Sequence, residues 1–138
     1  MTEYNDDYAT CASTYATLCI RPHEILPDAV TKRLNVTPTE TCLAEARPAG
    51  IADRPAGWFL CSKGNVQSRD VRRHIDWILD QIRDKTDEFV DLRSCGVDAE
   101  ISCYWLAASH SGGPSLWPHQ METLASLGLE IWFDFYAA

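Results

Sequence analysis

The stretch DAEISCYWLA, residues 98–107, alternates without a break. Ala99, Ile101, Cys103, Trp105 and Ala107 fall on one side, and Glu100, Ser102, Tyr104 and Leu106 on the other. Successive side chains of an extended chain point to opposite faces, so this pattern predicts a strand with one apolar face. SHSGGPSLWPH (109–119) follows, and its paired glycines and two prolines mark a sharp turn. Pro118 suits the first position of a helix, with Met121, Leu124 and either Ala125 or Leu127 turned inward and Gly128 as the stop. LEIWFDFY (129–136) alternates again, setting Leu129, Ile131, Phe133 and Phe135 against Glu130, Trp132, Asp134 and Tyr136. Strand, helix and strand in this order make a βαβ unit.

Working back toward the N-terminus, YATCASTYATLCI (8–20) reads as a long first strand, rich in Thr and Tyr. Pro27 opens a short helix with Asp28 in its first turn, and Pro38 disfavours its continuation. Residues 40–56 read as an extended loop that ends in a strand over GWFLCS (57–62). Ser68 is the expected N-cap of the clearest helix, where Val71, Ile75, Ile78 and Ile82 form one apolar stripe. Arg72 with Asp76, and Arg73 with Asp80, suggest a solvated opposite face. Thr86 begins a further helix, with Phe89 and Leu92 inward and Gly96 as its left-handed stop. The expectation is an α+β fold, a ferredoxin-like sandwich of two βαβ halves with a helical insertion at about residues 65–96. Right-handed crossovers would place the helices of both halves on one face of the sheet. The second face is then open unless the inserted pair covers it.

At 138 residues the chain is one domain, 1–138, with no room for a second core. Apolar residues make up 46%, yet no apolar run reaches the length of a spanning helix, so no membrane association is expected. The opening MTEYNDDYATC is acidic and lacks the basic and apolar regions of a signal peptide, which makes the cytoplasm the expected compartment. A net charge of −8 opposes phosphate-backbone binding, so no nucleic acid is expected; it suits steering toward a basic protein. The six cysteines, at 11, 19, 42, 61, 95 and 103, have no C-x₂₋₄-C spacing, and are expected to be reduced, with no structural zinc.

GWFL (57–60), HIDWILDQI (74–82), ISCYW (101–105), GGPSL (112–116) and LGLEIWFDFY (127–136), with PDAVTKRLNVTPT (27–39), together resemble the bacterial domain-of-unknown-function family 4279. The likeness extends from the first strand to Tyr136, and Trp117 stands where a small hydroxyl residue is expected before Pro118. It implies a single compact bacterial domain and assigns no catalysis.

The GGP loop lacks the GK[ST] ending of a phosphate-binding loop, and its prolines each remove a donor. It is read first as a turn with positive φ at Gly112 or Gly113, and second as a binding rim with His110 and His119. His74 is expected to pack against the helix stripe rather than act as a base. Lys63, Arg69, Arg72 and Arg73 are expected on a solvated helix face. The more informative set is the second sheet face, where Tyr15, Glu100, Tyr104, Glu130, Trp132, Asp134 and Tyr136 would meet. Aromatic rings anchor a partner and carboxylates steer it. The expected function is therefore a non-catalytic protein-binding domain, in its most concrete form an immunity-type antagonist of a basic bacterial toxin. A second reading is a small-molecule or sensory module that forms a homodimer through its sheet, with a dry pocket beside Trp105 or Trp132. A third is an enzyme using Cys61, His110 or His119 near the GGP loop. No cofactor or metal is expected.

Overall fold

The structure is a computed structural model and describes residues 3–137. Nine elements follow one another: β1 (Cys11–Arg21), α1 (Pro27–Leu34), β2 (Glu40–Cys42), β3 (Gly57–Cys61), α2 (Val71–Ile82), α3 (Thr86–Ser94), β4 (Asp98–Ala107), α4 (Pro118–Leu127) and β5 (Glu130–Tyr136). They form an α+β fold with a five-stranded mixed open sheet in the order β2-β3-β1-β4-β5. β1 pairs antiparallel with both β3 and β4, β2 pairs antiparallel with β3, and β4 and β5 run parallel.

The second βαβ unit forms as its alternation predicts. The first does not, because β3 runs antiparallel to β1. The cause is β2, three residues that reverse the chain within what the sequence suggests is a loop. Residues 65–96 are likewise no separate insertion. The α2 residues Val71, Ile75, Ile78, Leu79 and Ile82 share one core with Ala16, Leu18 and Ile20 of β1, Trp58 and Leu60 of β3, and Ile101, Cys103 and Trp105 of β4. Leu34 of α1, Phe89 of α3 and Leu124 and Leu127 of α4 join the same core. One side of the sheet therefore takes all four helices.

Local chemistry sets the helix ends. Asn35, in the left-handed region at φ 56°, stops α1 two residues before Pro38's neighbour can do so. Asp70 rather than Ser68 caps α2, accepting from the Arg72 N–H; Ser68 Oγ instead accepts from the Asp70 N–H and donates to Asp6. An indole cannot accept at an N-cap, so Trp117 caps nothing with its side chain. Its own N–H donates to Gln120 Oε1 at 3.0 Å. Gln120 is fully buried in the position the sequence gives to Met121, which is 51% exposed. The amide can lie inward because its Nε2 donates to the Arg72 carbonyl and to Asp76 Oδ1, both at 2.9 Å.

Candidate functional site: an uncovered sheet face

Strand register determines which side chains meet on the side away from the helices. Tyr15 lies opposite Tyr104, and Tyr104 beside Asp134. Thr17, Ser102 and Trp132 form the next row, then Cys19, Glu100 and Glu130. At the far end Ser13, Leu106 and Tyr136 align. Of the residues expected here, Trp132 is 43% and Tyr136 48% exposed, Glu130 is exposed, and Tyr15, Glu100, Tyr104 and Asp134 are half-buried by one another. All seven are thus gathered on one face, and no helix among the described residues covers it.

The rings are ordered. Tyr15 stacks on Tyr104 with centroids 4.9 Å apart and planes 17° from parallel, and Tyr104 tilts against Tyr136 at 5.1 Å. Such pairs add about 0.5–1.5 kcal/mol beyond the area they bury. The Tyr136 hydroxyl donates to Asp134 Oδ2, and this bond, with the carboxylate's charge, raises the phenol's pKa. Burial, then the neighbouring Cys61, Tyr104 and Asp134, raises that of Tyr15. The phenols of Tyr15 and Tyr136 are therefore held in the neutral form. The ammonium of Lys63 sits 5.3 Å from the Tyr15 ring centre, and the Arg21 guanidinium 5.1 Å from that of Phe59. These rings receive cations from their own chain.

Burial holds two of the cysteines in the thiol form. All six are free, and burial pushes the Cys103 thiol up to about 12. Burial, then the Glu100 charge, pushes Cys19 up to about 11. A thiol so poor in thiolate is a weak nucleophile. Cys61 accepts a hydrogen bond from Thr17 Oγ1.

The GGP loop is an irregular connection that bends at 108–111 between β4 and α4. Gly112 has φ +89°, and a Cβ there would come within 2.5 Å of Thr10. Gly113 shows no positive φ; its carbonyl accepts from the Tyr8 hydroxyl at 2.7 Å. His110 and His119 are exposed, and His119 stacks against Trp117. Among the described residues no cluster of three metal-ligating side chains occurs.

The basic residues differ from expectation in their partners. Arg72 forks onto Asp70 at 2.8 and 2.9 Å rather than reaching Asp76, and Arg73 forks onto Asp6 at 2.9 and 3.1 Å rather than Asp80. Burial raises the Asp70 pKa, but the Arg72 fork and the backbone N–H groups of Asn5 and Arg72 outweigh it and hold the carboxyl below its usual range.

Sequence reasoning missed a serine–histidine pair. Ser62 Oγ lies 2.6 Å from His74 Nδ1, and His74 Nε2 lies 2.8 Å from the Ser68 carbonyl. A hydroxyl beside an imidazole is the opening arrangement of nucleophilic catalysis. Here Ser62 is fully buried and its Oγ also accepts from the Ala16 N–H at 2.9 Å, so no substrate atom reaches it. The pair is a buried clamp between β1, β3 and α2. The two partners are twelve residues apart and meet only through tertiary packing, which leaves no signal in the sequence.

Grooves of about 610, 510 and 440 Å³ are among those on the surface, and neither Trp105 nor Trp132 lines these three. No helix among the described residues is long and apolar enough to cross a membrane. The fold and this face define a class: an α+β domain whose sheet carries helices on one side and presents an acidic, aromatic surface on the other. The chain belongs to the domain-of-unknown-function family DUF4279, which it matches over residues 12–138. Comparison with curated proteins and with solved structures gave no match.

Proposed function

We propose that the protein is a non-catalytic binding domain that uses its uncovered sheet face to hold a basic protein. The observation that carries this reading is the Tyr15–Tyr104–Tyr136 stack, with Trp132 beside it, set among Glu100, Glu130 and Asp134. Rigid rings supply contact area at low entropic cost, while the carboxylates favour Lys and Arg and repel acidic competitors. The net charge of −8 extends that selection to the approach of the partner. In its most concrete form the domain is an immunity-type antagonist that masks the active surface of a basic toxin in the cytoplasm of a bacterium.

The order β1–α1–β2–β3, then α2 and α3, then β4 supports reading the scaffold as a ferredoxin-like unit extended by α4 and β5. The small-molecule reading places a pocket at Trp105 or Trp132, whereas the grooves of about 610, 510 and 440 Å³ are lined by other residues. The test is affinity purification at low and high salt, with the chain and a Tyr104→Ala/Trp132→Ala variant side by side. A basic protein retained at low salt by the chain and lost by the variant is the expected result. Equal recovery by both, or none by either, overturns the proposal.

A further inference from the structure

The two edges of the sheet differ sharply. β2, at one edge, is three residues long and carries Glu40, so it offers little to pair with. β5, at the other, presents seven consecutive residues, EIWFDFY, with no Pro, no Lys and no register shift against β4. Soluble proteins commonly blunt a free edge with those devices or with a very short strand. Among the described residues, three of the eight exposed large apolar side chains, Trp132, Phe135 and Tyr136, lie on this one strand.

We propose that β5 is a homotypic docking edge, pairing antiparallel with β5 of a second copy about a two-fold axis at Phe133, so that two five-stranded sheets become one. The sequence of the strand selects this register. Centred on Phe133, Ile131 faces Phe135 of the second copy and Phe133 faces its own equivalent, which joins the apolar columns on the helix side. On the other side Glu130 faces Tyr136 and Asp134 faces Trp132. Every acid meets a ring and no acid meets an acid. All seven residues are paired.

The neighbouring registers fail on charge. A two-fold axis at Trp132 sets Glu130 against Asp134 twice, and an axis at Asp134 sets that residue against itself. Like charges directly opposite are destabilising in a sheet. Registers of odd offset would place residues from opposite faces against each other. A two-fold axis perpendicular to the sheet also keeps the helices of both copies on the same side, so the uncovered faces run on into each other. This pairing stands independently of the basic partner, since it uses the strand's edge and needs nothing bound to its face.

The test is sedimentation velocity on the full chain across a concentration series, together with Trp132→Glu and Trp132→Lys, with circular dichroism on all three. Trp132→Glu places two like-charged pairs in the dimer, and Trp132→Lys places two opposite-charged pairs. The expected result is a species of twice 15.5 kDa for the chain. Trp132→Glu should weaken the dimer at least tenfold relative to Trp132→Lys, with unchanged folds. On the unsubstituted chain, amide exchange across 130–136 should slow as concentration rises, while that of β2 stays constant. A chain that remains at 15.5 kDa to about 100 µM, equal effects of the two variants, or β5 exchange independent of concentration would each overturn the pairing.

Discussion

The imidazole of His74 sits between two partners of fixed polarity. The Ser68 carbonyl can only accept, so Nε2 carries the proton, and Nδ1 accepts from Ser62. A second proton would cost that arrangement a bond within a site that is 2% exposed. Burial, partly offset by the Ser68 carbonyl and by Asp70, holds the pKa below its ordinary value. In the unfolded chain the same group takes a proton at about pH 6.5. Below that point the unfolded state gains protons that the folded state refuses, so stability is full above it and falls as pH drops from 7 toward 5. One such group gives a slope of at most about 1.4 kcal/mol per pH unit. His74→Gln should flatten that slope and cost about 1–3 kcal/mol at pH 7, read from urea unfolding at a series of pH values. If the pH dependence is unchanged, the clamp does not work as described.

Among the elements, α4 shows how a polar side chain can fix a helix. Gln120 accepts from the Trp117 N–H and donates to the Arg72 carbonyl and Asp76, binding the start of α4 to the first half of α2. Gln120→Leu keeps the volume but leaves the Trp117 N–H and the Arg72 carbonyl without those partners. It should cost about 1–3 kcal/mol, and amide exchange should rise first in the opening turn of α4. An unchanged unfolding midpoint would show that the amide contributes nothing. The elements legible in the sequence are those with a period. β4 runs over the alternating residues 98–107, and the α2 stripe of Val71, Ile75, Ile78 and Ile82 is buried throughout. What was illegible has none. β2 is too short to alternate, and it alone changes β3 from parallel to antiparallel. The position of Gln120 likewise follows from acceptors supplied by a helix more than forty residues away.

For the whole molecule, charge separates the two associations proposed. Each copy carries −8, so two copies repel and added salt screens the repulsion. A basic partner is attracted by the same field, and salt weakens it. Raising salt from 50 to 500 mM should tighten self-association and loosen the partner, measured by sedimentation and by calorimetry on one preparation. A common direction for both would show that net charge does not govern at least one of them. The residues of the uncovered face were legible because alternation alone sorts β1, β4 and β5 into two sides. Their stacking geometry, and the absence of a covering helix among the described residues, came from the tertiary structure. A sheet clothed on one side alone also divides the work of its strands over evolutionary time. Leu18, Ile101 and Trp105 answer to the interior, while Tyr15, Tyr104 and Trp132, on the other side, do not. A lineage built on this plan can replace its outward side chains, every second residue, and inherit its interior unaltered.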